Sequence, residues 1–560
     1  AGSGAEVMKY RFNWNYPVTF SRHDSNVLYA GSNYLHATTD EGQSWKTISP
    51  DLTRGLPETI ASSGGPITQD NTGAEFYSNL FVISESILKK GVIWTGSDDG
   101  LIHVTRDNGS TWENVTPPAS MSPKLNMINS IDPSPFNEGT VYVAATSYKF
   151  GDYTPYLYKT EDYGKNWTLI TNGIKDNDYT RVIRTDHVKE GLLYAGTEWG
   201  MYISFDDGKS WSPFQLNLPI TAIRDLQVRD NDLIVATHGR SFWIIDDLTP
   251  LHQLSTEMAN KNFYIYKPDI SYRMEQEGGW SEPNMKLVGA NHPDGVIINY
   301  FIDSFKEKDT VELDILELDG TLIQNFATNA KTDKLNPASS KPLKVKSGGN
   351  RLIWDMRYPG FKAFEGMIFY SSPNTGPKAV PGTYKVRLTV NGNSQEQEFK
   401  IVKDPRLPNT LNDYDGQFEF LTKVRNEVTR ANEAIIKIRN IQQDLKYLKE
   451  KTKENEEFQK LISDYEKELS VIENNIHMTK NQSRQDPLNY GIRINNRLAF
   501  LMADSQRGDY PPTQQAQEFF KEVTQELNKE INALNALVEK QTQMFNEKVK
   551  KEDIKMISSE

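Results

Sequence analysis

The chain has 560 residues, enough for about three to five domains that each close a core of their own, which excludes a peptide or a disulfide-stapled miniprotein. Its 63 Lys and Arg against 75 Asp and Glu leave a formal charge of −12, which argues against a general electrostatic grip on nucleic acid or anionic lipid. Cysteine is absent, so disulfides, thiolate nucleophiles and Cys-type metal sites are excluded, and no run of about 18 apolar residues marks a transmembrane span.

The start, Ala1-Gly2-Ser3-Gly4, has neither an initiator Met nor a signal-peptide pattern and reads as a processed or truncated N-terminus. Eight of the ten Trp residues then fall between Trp14 and Trp243, with Trp280 and Trp354 following. This first region carries four copies of one short motif. They are Thr38-Thr39-Asp40-Glu41-Gly42-Gln43-Ser44-Trp45, Thr105-Arg106-Asp107-Asn108-Gly109-Ser110-Thr111-Trp112, Thr160-Glu161-Asp162-Tyr163-Gly164-Lys165-Asn166-Trp167 and Ser204-Phe205-Asp206-Asp207-Gly208-Lys209-Ser210-Trp211. Each follows a β-rich run such as Val141-Tyr142-Val143-Ala144-Ala145. A fifth unit, through Leu233-Ile234-Val235-Ala236-Thr237 and Ser241-Phe242-Trp243-Ile244-Ile245, lacks the motif. Repeats of about 40 to 50 residues with several strands each predict propeller blades over residues 1–252. A carboxylate recurring once per blade beside the same turn is better explained as an Asx-type brace than as a catalyst, so Asp40, Asp107, Asp162 and Asp206 are expected to be structural, as are the Gly and Trp of each copy.

The loops joining second to third strands share one face with the connections between blades, and that face is the expected ligand site. Its candidates are Asp98 and Asp99 in Ser97-Asp98-Asp99-Gly100, Glu198 and Trp199 in Thr197-Glu198-Trp199-Gly200, and His238 and Arg240 in Thr237-His238-Gly239-Arg240. The long connection from Ser49 to Tyr77 adds Asp70, Asn71 and Glu75. Trp199 would stack on a sugar or peptide, Arg240 would meet a carboxylate, and the acids would take hydroxyls. The same residues also suit a local role, with Asp98, Asp99 and Glu198 satisfying turn amides and His238-Gly239-Arg240 capping a strand end. Glycosidase chemistry would need two carboxylates about 5 to 9.5 Å apart with one kept protonated, and Asp70, Glu75, Asp98, Asp99 and Glu198 are the acids on offer. The eight His show no zinc spacing, the Asp98-Asp99 pair has no EF-type spacing, and no nucleotide loop stands between a strand and a helix, so neither cofactor nor metal is expected.

Residues 262–404 alternate strand-like runs, among them Val296–Phe301, Val311–Ile315 and Tyr384–Val390, with the turn signals Asp319-Gly320 and Asn391-Gly392. A β-sandwich of immunoglobulin or fibronectin type III kind is predicted there, without chemistry. Residues 411–560 are helix-forming in composition, with apolar stripes through Leu421, Val424, Val428 and Ala431, through Phe458, Leu461 and Tyr465, and through Phe520, Val523 and Leu527 after the cap candidate Thr513. A first helix of about 35 residues would span on the order of 50 Å, which predicts an elongated bundle or coiled-coil hairpin that either stands alone or serves as a partner-binding arm.

The four motifs resemble the Asp-box of sialidase-like and sortilin-like propellers, the third departing by Asn166 where Ser or Thr is usual. In addition, Arg11-Phe12-Asn13-Trp14-Asn15, Ser63-Gly64-Gly65-Pro66-Ile67-Thr68, Thr237-His238-Gly239-Arg240-Ser241-Phe242-Trp243 and Arg351-Leu352-Ile353-Trp354-Asp355 resemble the second half of large exported bacterial proteins with tandem sortilin-like propellers, a β-sandwich and a helical tail, commonly labelled glycosyl hydrolases. The resemblance implies a periplasmic, outer-membrane-associated or extracellular address. It also implies a propeller whose five blade equivalents are completed by an upstream segment or another chain. The whole sequence is therefore read as mainly β with an α tail: an exported recognition or scaffold protein that binds a protein, peptide or glycan through the propeller loop face. The alternative is a polysaccharide-active hydrolase with its acid pair on that face.

Overall fold

A computed structural model describes residues 3–255, 257–274 and 292–551. Ala1 and Gly2 of the expected processed start, Trp280, and the last nine residues of the predicted helical region lie outside the described residues. The chain divides into two compact units, Ala1–His252 and Gln253–Glu560.

The first unit is a succession of antiparallel sheets, each a meander in chain order. Blade 1 holds β1 (Val18–Phe20), β2 (Leu28–Gly31), β3 (Leu35–Thr38) and β4 (Lys46–Thr47); blade 2 holds β5 (Leu80–Glu85), β6 (Ile93–Ser97), β7 (Ile102–Thr105) and β8 (Glu113–Asn114). Blade 3 comprises β9 (Met127–Pro133), β10 (Val141–Ser147), β11 (Asp152–Thr160) and β12 (Thr168–Leu169), and blade 4 comprises β13 (Thr180–Thr185), β14 (Leu193–Thr197), β15 (Met201–Ser204) and β16 (Ser212–Pro213). Blade 5 has three strands, β17 (Ile223–Arg229), β18 (Asp232–Thr237) and β19 (Phe242–Ile245). Second strands lie between two neighbouring sheets, which explains why all of Val141–Ser147 is buried and reads as a continuous apolar run rather than an alternating one. Four apolar cores separate successive blades: Tyr29, Leu35 and Leu80 between blades 1 and 2; Trp94, Ile131 and Val143 between 2 and 3; Tyr142, Ile183 and Trp211 between 3 and 4; Tyr194, Ile203 and Val235 between 4 and 5.

The second unit contains a sandwich and a helical region. Strands β20 (Phe263–Ile265), β22 (Val296–Ile302) and β26 (Gly348–Trp354) form one sheet. β21 (Ser271–Arg273), β23 (Val311–Glu317), β24 (Leu322–Ala327), β25 (Lys341–Pro342), β27 (Gly382–Val390) and β28 (Asn393–Lys403) form the other. Their inner faces share a core that includes Ile298, Tyr300, Leu313, Trp354 and Val386. The helices are Leu411–Lys451, Glu456–Ile476, Ile494–Ser505 and Gln514–Lys551, with a short turn at Pro487–Tyr490. The predicted stripe residues Leu421, Val424, Val428 and Ala431 are buried, and Thr513 Oγ1 accepts Ala516 N at 3.1 Å as the cap of the last helix. The segment between β26 and β27 leaves the sandwich and enters the helical core with Phe361 and Phe364, while Asn432 Nδ2 donates to Lys362 O (2.7 Å) and Arg439 Nη1 to Glu365 O (2.7 Å). Buried Arg273 adds a second tie, donating to Asp509 Oδ1 (3.1 Å), Gln417 Oε1 (2.9 Å) and Ala379 O (2.8 Å). An ion held by that many fixed acceptors loses heavily if one is removed.

Candidate functional site

The blades have two unlike faces. On one, the Asp-box turns meet the loops joining first to second strands: Asn108 N donates to Gly91 O (3.0 Å), Tyr163 N to Gly139 O (3.0 Å) and Asp207 N to Gly191 O (2.9 Å). Within each box the aspartate accepts from its own turn. Asp40 Oδ1 takes Thr38 Oγ1 (2.7 Å) and Ser44 N (2.9 Å) while Oδ2 takes Ser44 Oγ (2.6 Å). Asp107 repeats this with Thr105 and Thr111, Asp162 with Thr160 and Asn166, and Asp206 with Ser204 and Ser210. Asn166 therefore substitutes for the usual hydroxyl through its amide, at 2.7 Å. Bonds to the Ser44 and Thr111 hydroxyls, with those residues' amides, hold the Asp40 and Asp107 carboxyls down at about 2. Such groups are poor proton donors near neutral pH.

The opposite face carries the second-to-third loops. In blade 2, Asp99 is buried and accepts Arg54 N (2.8 Å), Gly55 N (3.3 Å) and Ser97 Oγ (2.6 Å), while Arg54 Nε returns a bond to Asp99 O (2.9 Å). The carboxylate thus latches the long connection after blade 1 onto blade 2. Its neighbour Asp98 is also buried and accepts Asn79 N at 2.8 Å. Burial, reinforced by the Asp99 charge and opposed by the Asn79 bond, pushes the Asp98 carboxyl up to about 7. The Tyr77 hydroxyl, raised by burial and by both carboxylates, has no hydrogen-bond partner among the described residues.

Between blades 3 and 4 the same face gathers aromatic rings around an ion pair. The loop after β10 turns through Tyr148–Phe150 and closes on Gly151, whose φ of 77° favours glycine. It places Tyr148 in a stack on Tyr179, centroids 5.1 Å apart, with Tyr153 tilted against the same ring at 5.9 Å. Arg181 lies over both stacked rings, 5.0 Å from Tyr179 and 5.3 Å from Tyr148, and donates from Nε to Glu198 Oε2 (2.7 Å) and from Nη2 to the Tyr179 hydroxyl (3.0 Å). Asp178 fixes the adjoining turn, accepting Trp199 N (3.1 Å) and the Tyr202 hydroxyl (3.0 Å). The side chains of Phe150, Tyr153 and Trp199 are left exposed.

The remaining candidates sit in separate local structures. His238 N donates to Ala222 O (2.9 Å) and Arg240 N to Thr237 Oγ1 (3.1 Å), and both side chains project outward from blade 5. Asp70 accepts Thr72 Oγ1 (2.8 Å), Asn71 accepts Ser62 Oγ (3.0 Å), and Glu75 accepts Trp14 Nε1 (3.2 Å). Tyr179 and Arg181 lie outside the loop motifs that mark the other candidates. Their signal is the polar start of a first strand, Asp178-Tyr179-Thr180-Arg181, where an apolar run is otherwise expected.

A cavity of about 360 Å³ lies among the innermost strands, lined by Glu85, Asp132, Arg184 and Gln227 among others. Those residues stand at the ends of first strands, so the cavity opens on the Asp-box side and none of the candidate loop residues lines it. Its acids are engaged: Glu85 accepts Ser21 Oγ (2.6 Å) and Arg22 N (2.8 Å), and Asp132 accepts Thr185 N (2.7 Å). Among the described residues no three His, Asp or Glu side chains gather as a metal site, and no helix is long and apolar enough to cross a membrane.

These features define a mainly β protein with a β-propeller that carries BNR/Asp-box repeats. A family model of the BNR/Asp-box repeat matches residues 202–213, the fourth box. No curated protein matches the sequence. Among solved structures, similar chains include YCF48 bound to D1 peptide, at 18% identity and TM-score 0.29, covering 47% of this chain and 73% of that one. The GH74 xyloglucanase from Xanthomonas campestris is 12% identical at TM-score 0.31, covering 68% of this chain and 63% of its own. The GH74 enzyme of Niastella koreensis is 10% identical at TM-score 0.32, covering 71% and 55%. The chain thus spans less than two thirds of either GH74 protein.

Proposed function

We propose that the protein is an exported, sortilin-like recognition module that binds a peptide or glycan on the propeller loop face between blades 3 and 4, with the sandwich and helices serving position or assembly. The observation that carries this reading is the Arg181–Glu198 pair stacked on Tyr148 and Tyr179 beside exposed Phe150, Tyr153 and Trp199. Flat rings next to a hydrogen-bonding ion pair suit the apolar face of a sugar or a peptide side chain. The five acids first considered for catalysis each hold a local partner, which favours recognition over turnover. A glycan and peptide binding screen with Trp199→Ala and Tyr153→Ala variants tests it. Binding that both variants weaken supports the reading, and binding indifferent to both removes it.

One observation favours the second reading, a polysaccharide hydrolase: a buried Asp98 raised to about 7 has the protonation a general acid needs. Product analysis of any bound glycan decides between them, since release of shortened sugar that Asp98→Asn abolishes would establish hydrolysis.

A further inference from the structure

Blades 4 and 5 share one register, and the difference between them isolates an arginine. In blade 4 the first strand bulges at Arg181, between Thr180 and Val182. Glu198, whose N donates to Tyr179 O (3.1 Å), supplies the carboxylate that Arg181 Nε meets at 2.7 Å. In blade 5 the bulge falls on Arg224, between Ile223 and Asp225, and the place of Glu198 is taken by His238, whose N donates to Ala222 O (2.9 Å). Arg224 is exposed, and the acid that its counterpart enjoys is missing from this turn. The adjacent Asp225 is held by Arg184 Nη2 (2.7 Å). Arg240, two residues after His238, is exposed as well and reaches only its own turn, at Gly239 O (3.4 Å). In a chain of formal charge −12, this turn thus presents cations with no acid beside them.

The connection from blade 4 to blade 5, residues 214–222, runs along the same face of the fan. At one end Phe214 N donates to Met201 O (2.8 Å), beside the Trp199 turn, and at the other Thr221 Oγ1 donates to His238 O (3.1 Å). Between these ties Leu218 packs against the core of blades 4 and 5, whereas Leu216 and Ile220 are 69 and 75% exposed. Leu216 has a φ of 44°, in the left-handed region that Gly and Asn occupy at less cost than leucine. Two aliphatic side chains held in water beside exposed Trp199 form a surface that apolar side chains cover. A sugar is recognised instead by aromatic faces together with polar groups free to meet its hydroxyls. Here the polar groups are engaged: Gln215 Nε2 donates to Leu218 O and Pro219 O (both 2.9 Å), and Asp178 accepts Trp199 N and the Tyr202 hydroxyl.

We propose that the band from Trp199 to Arg240 receives a peptide whose carboxylate meets Arg224, in the role that Glu198 plays for Arg181, and whose apolar side chains cover Leu216 and Ile220. The proposal rests on the recognition reading above, extends it to blade 5 and narrows peptide or glycan to a peptide. The carboxylate belongs either to an Asp or Glu side chain or to the C-terminus, since both offer the same pair of oxygens to a guanidinium.

The test probes an array of 12-residue peptides, each with a free and an amidated C-terminus, and a glycan array with the protein and its variants. Bound peptides should combine large apolar residues with a carboxylate, and loss of binding on amidation assigns that carboxylate to the C-terminus. Leu216→Asn should weaken binding by about tenfold or more. Because Asn tolerates the positive φ, its melting midpoint should stay within about 2 °C. His238→Glu places an acid opposite Arg224, as in blade 4, and should remove the preference for a carboxylate while keeping that for apolar residues. Arg224→Gln should do the same. Peptides bound without a carboxylate preference, a preference that neither Arg224→Gln nor His238→Glu moves, or binding indifferent to Leu216→Asn overturns the proposal. Glycans bound through Trp199 with no peptide bound overturn it and leave the recognition reading standing, whereas silence on both arrays removes the two together.

Discussion

Acidification should destabilise the second unit through one residue. His477 is buried in the helical core, edge-on to Phe364 at 4.9 Å, with Asn495 Nδ2 3.3 Å from its Nδ1. Burial, reinforced by the Arg439 charge, pushes its imidazole down to about 4. A folded value below the unfolded one near 6.5 means the native state binds fewer protons, so the contribution is whole above about pH 6.5 and is lost as pH falls towards 4. Linkage over that gap gives a loss of roughly 1.4 kcal/mol between pH 7.5 and 5.5, and about 2.5 kcal/mol by pH 4.5. Asp404, held down at about 2 by Arg406, titrates below this window. Urea denaturation followed by helical ellipticity isolates the second unit, because the first has no long helix. Stability should fall with that slope in the wild type and lie nearly flat in His477→Gln down to pH 5.5. Parallel slopes in the two proteins would refute the assignment. The first unit is a useful contrast, since His103, pushed to about 4 by burial, and Asp98, raised to about 7, oppose each other over the same range.

Trp211→Ala should cost about 3 to 5 kcal/mol in chemical denaturation, since it empties a buried site and strands Ile170 O. Asp99→Ala leaves Arg54 N and Gly55 N without their acceptor, so a loss of about 1 to 3 kcal/mol is expected, with faster amide exchange at residues 54–60 as the check. Phe361→Ala should cost about 3 to 5 kcal/mol, and the sandwich and helix signals should shift together rather than separate into two transitions.

What could be read in advance was whatever is written locally. The Asp-box closes between residues two and four apart, so Asp40 with Thr38 and Ser44 is visible as a string of letters. The helical stripes are visible for the same reason, because period and burial coincide at Leu421, Val424 and Val428. The platform is another matter. Arg181 and Glu198 meet within blade 4, across its first two strands, and Tyr148 joins them only because blade 3 packs beside blade 4. Glu198 and Trp199 were reachable because they sit in a second-to-third loop, whereas Arg181 belongs to a strand and gave no loop signal. His238 and Arg240 share a loop of the same kind, and Asp70, Asn71 and Glu75 a blade connection on the same face, yet loop class alone says nothing about distance around the fan.

The segment from Asp355 to Pro381 belongs to the sandwich by sequence and to the helices by where its aromatic side chains end up. A proteolytic cut near residues 405–410, where strand gives way to helix, would therefore free helices whose core has lost Phe361 and Phe364. The two parts would have to be inherited, shuffled or lost as a single piece, although one is all strand and the other all helix.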